Sequence, residues 1–590
     1  MCIIGLMFLA AKLIRKNILF LLVFFLLACF ITYPLIFNLG LLTTGYGDEL
    51  LIAWNHNWNI YNFSNNLANI FQANIYFPYN NSLAFSDAYF TNSILALMPV
   101  MILNSPIAAN NFTIIISLTL VGFFTYFLSF MITKERLLSI LSGILVIFCP
   151  AYLSSLVHIQ IIAVYFVILS IIFLLIFLKS KKNLFFVLFL SVFVLQTYNS
   201  FMPGFFIAFS ASVICLFYLL EDKKRVKFLF VKKNILLFLI SIAIILPIII
   251  PYYKVSSEFN YVRDIRETIH FALQPEDFLS TSSFSRLQPL LSQLSFTKDL
   301  QNKGEVKPGF IGLIFSILTI AAFFYIIKNW KKQNYVIKGI FVSSVLGLIL
   351  SLGPFMHWQR LTIHSPFPIP LPYLIFYYII PGFNGIRNSA RYEMLFILFA
   401  APLAAVYLKE ALKNTSLNIK SGLILLLIFL VILEFNFPIK FYPVPQIKDF
   451  PKVYSWLLTT PKQTVIIEMP IYNWNVAFYS SREFWREYYS TVHFRKTVNG
   501  ASGFSPPPWQ ELVNYLLFDF PSDESISKLK NIGVNIIIVH KNEYETLYKD
   551  NFIFQNKKIP NGQEVIKYLM ISKSVSFEKQ LGEDYVFKIK

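Results

Sequence analysis

Long apolar runs recur along the first three quarters of this 590-residue chain. Each is about 17 to 25 residues long, the length that a helix needs to cross the roughly 30 Å hydrocarbon core of a bilayer. A soluble protein cannot bury so many runs, because its surface must be covered by polar groups. Since 56% of the residues are apolar and only 14% are charged, we expect an α-helical polytopic membrane protein.

About eleven membrane spans are predicted from these runs. The first run has a basic start, as a signal peptide has, but the many later runs favour an uncleaved first span. The predicted spans cover residues 18–37, 108–132, 137–156, 161–178, 184–199, 203–220, 234–252, 309–327, 338–354, 392–408 and 421–437.

Positive charge orients these spans, because cytoplasmic loops carry an excess of Lys and Arg. Basic residues cluster in alternate connections, whereas none occurs between Lys16 and Lys134. This alternation places the N-terminus in the cytoplasm and residues 438–590 outside the cytoplasmic membrane. The long loops expected on the outer face are 38–107, 253–308 and 355–391.

The formal net charge of +19 at pH 7 follows from the same arrangement. Cytoplasmic Lys and Arg account for most of the excess, whereas residues 438–590 carry 19 basic and 15 acidic residues. The charge therefore suits insertion into membrane lipids, and it gives no support to nucleic-acid binding.

The C-terminal residues 438–590 have a different pattern from the rest of the chain. The segments "TVIIEMPI", "VNIIIVH" and "DYVFKIK" read as strands, with helical stretches beside them. We therefore expect a transmembrane domain over residues 1–437, followed by an extracytoplasmic α/β domain over residues 438–590.

Two adjacent carboxylates, Asp48 and Glu49, stand within "TTGYGDELLIAWNHNWNIYNF" in the first outer loop. Carboxylates at the boundary of water and membrane can act as a general base or hold a divalent cation. The alternative is a loop that merely stays polar near the interface. Asp87, in "NSLAFSDAYF", can join the pair or simply cap a helix.

Aromatic residues follow the acidic pair at helical spacing, with Asn residues between them. This pattern predicts a helix that lies flat at the membrane interface, with Trp54, Trp58 and Tyr61 at headgroup level. The later segment "YLIFYYIIPGF" is too short to span and predicts a re-entrant or interfacial helix.

Four further residues are candidates for substrate contacts. His158 ends the third predicted span, as a functional residue or as a hydrogen-bonded packing residue. Arg387 and Arg391 are four residues apart, which predicts one helical face. They either anchor the chain to headgroups or bind a lipid phosphate. His493 precedes the glycine-containing loop "VNGASGFSPPPW" and is a weaker candidate.

The four cysteines lie in or beside apolar runs and indicate neither a disulfide framework nor a metal site. The cofactor requirement stays open, with a divalent cation possible.

Several ordered blocks of the sequence carry a family resemblance. They are "GDELLIAWNHNW", "NIYFPYNNSLAFSDAYF", "FCPAYLSSLVHIQ", "PGFNGIRNSARYEML", "YSTVHFRKTVNGASGFSP" and "GVNIIIVH". With these blocks the chain resembles the bacterial multispan glycosyltransferases of the GT-C superfamily, in a poorly characterised branch. The resemblance extends from about residue 43 to residue 540.

The resemblance implies roles for particular residues. GT-C enzymes keep an essential acidic residue in the first outer loop, and Asp48 matches its place. Glu49 gives an Asp-Glu pair similar to that of the protein mannosyltransferases, whereas the narrower branch more often has Pro there. Asp87 stands where Glu is expected. The sequence "NSAR" replaces "VPAR" and keeps Arg387 and Arg391.

The resemblance also implies an activity. The expected reaction moves a sugar from a polyprenyl-phosphate donor to an envelope glycan, lipid or protein acceptor on the outer face, by a single inverting displacement. Asp48 would be the base, the two arginines would neutralise the phosphate, and Glu49 or Asp87 would orient the acceptor or a metal. The alternatives are a non-enzymatic export or assembly protein with a degenerate GT-C fold, and a membrane anchor for the outer domain.

Overall fold

The computed structural model describes the backbone of residues 2–294, 309–358, 361–363, 367–473, 477–550, 553–554 and 557–590, and their side chains except in 2–16, 477–480, 553–554 and 557. A helix overlaps each of the eleven predicted spans, in some cases over only part of the span. These helices are Cys2–Ile31, Ile107–Thr133, Arg136–Ile147, Tyr165–Ser180, Asn183–Asn199, Phe201–Glu221, Lys232–Phe259, Leu313–Lys328, Tyr335–Ser351, Glu393–Ala411 and Leu417–Glu434.

Six helices in the described part of the chain are long and apolar enough, by length and composition, to cross a membrane. The largely helical class with several candidate membrane spans is thus confirmed. Crossing of a membrane by the remaining helices stays a prediction. The six are Ile107–Thr133, Ile159–Ser180, Phe201–Glu221, Lys232–Phe259, Ser389–Ala411 and Leu417–Glu434.

The chain forms two compact units, each drawn from several stretches of sequence. The first unit holds most of the apolar helices and comprises Met1–Phe37, Thr113–Pro247 and Tyr261–Lys440. The second unit combines the first outer loop with the C-terminal residues and comprises Asn38–Phe112, Ile248–Asn260 and Phe441–Lys590.

The first unit is built around the helix Glu393–Ala411, which is buried along most of its length. A Cβ on Gly347 would lie only 2.7 Å from the backbone nitrogen of Phe396, so glycine allows the neighbouring helix to approach closely. Ser344 and Ser142 each donate a hydrogen bond of 3.0 Å to a carbonyl of this central helix. Small residues and hydroxyls at helix contacts are typical of membrane interiors.

The second unit contains a five-stranded sheet. Its two central strands, Val465–Met469 and Ile536–His540, are parallel and fully buried, as their nearly continuous apolar sequences predict. Lys496–Thr497 pairs in parallel at one edge, while Asp584–Ile589 and then Val575–Leu581 pair antiparallel at the other. All three predicted strands are therefore present. The helices of the same region are Lys452–Leu457, Ala477–Ser490, Pro507–Asp519, Asp523–Ile532, Lys541–Lys549 and Gly562–Ile571.

Trp54 and Trp58, in the helix Asp48–Asn65, are buried inside the second unit, so their expected place at headgroup level is wrong. Trp54 and Trp58 are 2% and 7% exposed. Their indole nitrogens donate to the Oδ1 of Asn74 at 3.0 Å and to the carbonyl of Ile70 at 2.8 Å. Each ring is held inside the second unit by packing and by its one polar atom.

Loop 38–107 contains a second apolar helix, Phe90–Leu103, which was not predicted from the sequence. Its 14 residues are too few to span a bilayer. Met98 and Met101 are about 70% exposed along it. This helix carries the exposed apolar surface that was expected on Asp48–Asn65.

The other two long loops are only partly described. Residues 295–308 of loop 253–308, and residues 359–360 and 364–366 of loop 355–391, lie outside the described residues. Within the second of these loops, the predicted short helix is present at Pro372–Ile379.

Candidate functional site

The acidic pair begins the helix Asp48–Asn65, and its two side chains lie in different surroundings. Glu49 is 3% exposed. Its Oε1 accepts a hydrogen bond of 3.0 Å from the Thr44 hydroxyl, and its Oε2 accepts one of 3.2 Å from the backbone N–H of Gly47. Burial raises the pKa of Glu49, against these two hydrogen bonds, which lower it. Glu49 therefore fixes the loop in front of the helix.

The tight fit around Glu49 explains one of the glycines that precede it. A Cβ on Gly45 would lie 2.6 Å from the Oε1 of Glu49, closer than real Cβ atoms come. The bend of "TTGYGD" over the buried carboxylate thus requires a residue without a side chain.

Asp48 is the first residue of the same helix and is half-buried. The N-terminus of a helix carries a partial positive charge, which stabilises a carboxylate placed there. Of the two adjacent acids, Asp48 is therefore the less buried one.

Asparagine side chains of this helix hold the segment that carries Asp87. Asn55 donates a hydrogen bond of 3.0 Å to the backbone carbonyl of Asp87. Asn59 donates to the carbonyl of Ala88 at 2.6 Å and to the hydroxyl of Ser93 at 2.9 Å. The structure thus ties Asp87, which is half-buried, to the helix that begins at Asp48.

The C-terminal region supports the chain leading to Asp87 from another direction. The backbone N–H groups of Tyr76 and Phe77 donate to the carbonyls of Asn499 and Thr497, at 3.0 and 2.9 Å. A Cβ on Gly500 would lie 2.6 Å from two carbon atoms of the Tyr76 ring. The close approach to Tyr76, and not a positive φ, is what Gly500 provides.

Arg387 and Arg391 do not share a helical face, so that prediction is wrong. Arg387 lies in an irregular segment, whereas Arg391 belongs to the 3₁₀ turn Ser389–Tyr392 that leads into the helix. The Arg387 side chain is 48% exposed, with its Nε 3.8 Å from the Oε1 of Glu267. Its guanidinium also lies 4.8 Å from the centre of the Phe271 ring. Arg391 is half-buried.

His158 lies in the first unit, directly before the short helix Ile159–Ile162, and is half-buried. Its carbonyl accepts backbone hydrogen bonds from Ile161 and Ile162, at 2.9 and 3.1 Å. This places the residue at a break in the helical chain.

His493 is buried in the second unit. Its Nδ1 accepts a hydrogen bond of 2.8 Å from the backbone N–H of Arg495, and its ring stacks on Tyr454 at 6.0 Å. Burial lowers the pKa of His493 to about 3, so the ring is neutral at physiological pH. With 5% of its surface exposed, the residue is placed for packing.

The sequence reading missed a buried charge cluster in the second unit. Arg486 is 4% exposed and forms an ion pair with Glu483 and another, of 2.7 Å, with Glu543. The His540 ring lies between Asp584, 2.8 Å from Nδ1, and Glu468, 3.0 Å from Nε2. A polar residue inside each apolar strand, in "TVIIEMPI" and "VNIIIVH", is the signal that could have revealed it.

The candidate residues are divided between the two units. Asp48, Glu49, Asp87 and His493 belong to the second unit, and His158, Arg387 and Arg391 belong to the first. Among the described side chains, no group of three or more His, Cys, Asp or Glu residues has the arrangement of a metal site.

No protein-family model matches the sequence, and no curated protein matches it. Solved structures do share its fold. A mutant of the arabinofuranosyltransferase AftD from Mycobacteria has a TM-score of 0.50 at 10% identity, over 98% of this chain and 41% of that one. The archaeal oligosaccharyltransferase AglB from Archaeoglobus fulgidus, solved with an inhibitory peptide and a dolichol-phosphate, has a TM-score of 0.45 at 11% identity, over 91% of this chain and 71% of that one.

At such low identity the likeness concerns the fold alone, and the chain spans about two fifths of the length of AftD. The fold expected from the sequence resemblance is therefore similar to that of a solved glycosyltransferase.

Proposed function

We propose that the protein is an integral-membrane glycosyltransferase. It moves a sugar from a polyprenyl-phosphate donor to an envelope glycan, lipid or protein acceptor at the outer face of the cytoplasmic membrane. The observation that carries the proposal is Asp48, a half-buried carboxylate at the first position of a helix, next to the buried Glu49 that holds the preceding loop. The GT-C-like fold supports the reaction class.

In the proposed reaction Asp48 is the general base. It takes the proton of the acceptor hydroxyl as the acceptor oxygen attacks the anomeric carbon of the donor sugar. The bond from that carbon to the phosphate oxygen breaks, and polyprenyl phosphate leaves with the electron pair. Because attack and departure occur on opposite faces, one displacement inverts the anomeric configuration.

Two other groups of residues have supporting roles in the proposal. Arg387, with a half-exposed guanidinium, and Arg391 bind the phosphate, since a guanidinium fork suits phosphate oxygens. Glu49 acts as a positioning residue that holds the loop before Asp48. Asp87, whose backbone carbonyl accepts a hydrogen bond from Asn55 of the helix Asp48–Asn65, orients the acceptor.

The proposed topology sets the N-terminus in the cytoplasm, with loop 38–107 and residues 438–590 outside. Its support is the distribution of Lys and Arg along the sequence. With this topology the protein binds the glycosyl acceptor on the outer face of the membrane.

One experiment tests reaction and sidedness together. The purified protein is placed in liposomes with polyprenyl-phosphate-linked hexoses and pentoses, and envelope extract from its own cells is added outside as the acceptor. We expect release of polyprenyl phosphate and an inverted linkage in the product. Turnover should follow the fraction of molecules whose C-terminal region is cut by added protease.

The matched control is Glu524→Gln, which changes an exposed carboxylate in the same unit and should keep wild-type turnover. Absence of turnover with every donor, in a protein that remains folded, would contradict the proposal. That outcome favours the non-enzymatic export or assembly alternative.

A further inference from the structure

A surface pocket lies in the first unit. One wall is the segment 262–265, and the other is formed by the helix Pro372–Ile379 and the turn after it. The pocket is an open depression of about 530 Å³. Its lining residues are Val262, Arg263, Asp264, Ile265, Tyr377, Tyr378 and Asn384.

Two hydrogen bonds to backbone carbonyls hold the two walls together. The N–H of Arg263 donates to the carbonyl of Asn384 at 3.1 Å. The hydroxyl of Tyr377 donates to the carbonyl of Arg263 at 2.6 Å. Walls fixed in this way keep the pocket in shape without a ligand, which lowers the entropic cost of binding.

The lining combines an open aromatic ring with hydrogen-bonding groups. Tyr378 is 73% exposed, although its ring packs 5.1 Å from that of Tyr377. The Asp264 carboxylate is exposed, and its Oδ1 accepts from the N–H of Arg266 at 2.8 Å. The amide of Asn384 adds donors and acceptors. A sugar ring stacks its C–H face on an aromatic side chain and shares its hydroxyls with carboxylates and amides.

Two neighbouring features connect the pocket to a lipid-borne ligand. Glu267 pairs with Arg263 on the pocket wall at 3.4 Å and also with Arg387 at 3.8 Å. The pocket is thus one carboxylate away from the arginine proposed to bind phosphate. On the same short helix Ile375 and Ile379 are 57% and 70% exposed, an apolar edge that suits lipid chains.

We propose that this pocket binds a saccharide carried by a membrane lipid, with the sugar ring on Tyr378 and its hydroxyls on Asp264 and Asn384. The saccharide is either the sugar of the donor or the sugar of a lipid-linked acceptor. That choice of source rests on the proposed function, whereas the pocket's affinity for sugars does not.

Sugar binding is tested without turnover by saturation-transfer NMR on the full-length protein in detergent. The probes are glucose, galactose, mannose, arabinose and N-acetylglucosamine, and their β-octyl glycosides. We expect signals from at least one sugar ring, reduced at least tenfold in Tyr378→Ala and retained in Tyr378→Phe, because stacking needs the ring and not the hydroxyl. Tyr253→Ala removes an equally exposed tyrosine, 71% against 73%, and should change nothing.

Absence of ring signals from every probe would overturn the proposal, and so would equal loss in the two alanine variants. Signals only from octyl chains would indicate a lipid site and would also overturn it.

A kinetic arm separates the two sources and rests on the proposed function. If the pocket holds the donor sugar, Tyr378→Ala raises the KM for the donor alone. If it holds the acceptor, the same variant raises the KM for the acceptor alone. An unchanged KM for both substrates, in an enzyme that turns over, would overturn the pocket as a substrate site. A protein that binds sugar through Tyr378 but never turns over would refute the proposed reaction and keep the pocket.

Discussion

Neighbouring side chains on a helix point about 100° apart, so Asp48 and Glu49 lie in different surroundings although they are adjacent in sequence. The sequence predicted two adjacent carboxylates, and helical periodicity points their side chains in different directions. The buried position of Glu49 could not be foreseen, because it depends on the fold of "TTGYGD" over the carboxylate. The burial of His493 could not be foreseen either, because it also depends on tertiary packing.

His540 makes a prediction about pH. Burial alone would lower its pKa, but the hydrogen bonds that its ring donates to the carboxylates of Asp584 and Glu468 outweigh this and raise it to about 10. Nearby Glu543 also raises the pKa, and Arg486 lowers it. Because the folded pKa exceeds that of an unfolded histidine, the stabilisation is fully present below about pH 6.5 and is lost as pH rises towards 10.

Thermal unfolding of the protein in detergent, followed from pH 6 to pH 10, checks this prediction. The free energy of unfolding should fall by a few kcal/mol across that range in the wild type and stay flatter in His540→Gln. His493→Gln is the control, since His493 is neutral throughout and its loss should destabilise equally at each pH. Parallel pH curves for the wild type and His540→Gln would refute the assignment.

At the scale of elements, apolar length predicted the long helices, and continuous apolar segments predicted the central strands. The helix Asp48–Asn65 was also predicted, but the placement of its Trp residues at the membrane surface was wrong, because both are buried. Helical periodicity identifies an apolar face without showing what covers that face. The prediction that Arg387 and Arg391 share one helical face was wrong for a related reason. Four-residue spacing implies a shared face only within a helix, and Arg387 lies before the helical turn.

Gly500 tests how firmly the C-terminal region holds the segment before Asp87. Gly500→Ala would place a methyl group 2.6 Å from the Tyr76 ring, which is itself fully buried and unable to move aside freely. We expect a loss of about 1 to 3 kcal/mol in stability. Gly422→Ala is the control, since its Cβ would meet nothing within 4 Å. Equal thermal midpoints for the two variants, measured in the same detergent, would disprove the close contact.

At the scale of the whole molecule, composition and the charge pattern predicted the membrane class without any long-range information. The second unit could not be predicted in the same way, because it unites segments some 400 residues apart. Leu42 pairs with Pro443, and Tyr46 donates to the Pro443 carbonyl at 2.8 Å. Such pairings depend on tertiary packing, which local sequence patterns do not encode. The buried charge cluster arises from the same packing.

The rate of glycosyl transfer by Asp48→Asn, compared with the wild type in liposomes, tests the central claim most directly. Asn keeps the size and hydrogen bonding of Asp but cannot accept the acceptor's proton. The account predicts a fall of about 10² to 10⁴ in turnover, with the thermal midpoint unchanged and Glu524→Gln fully active. Turnover by Asp48→Asn close to that of the wild type would contradict the account, because it would show that Asp48 is not the base.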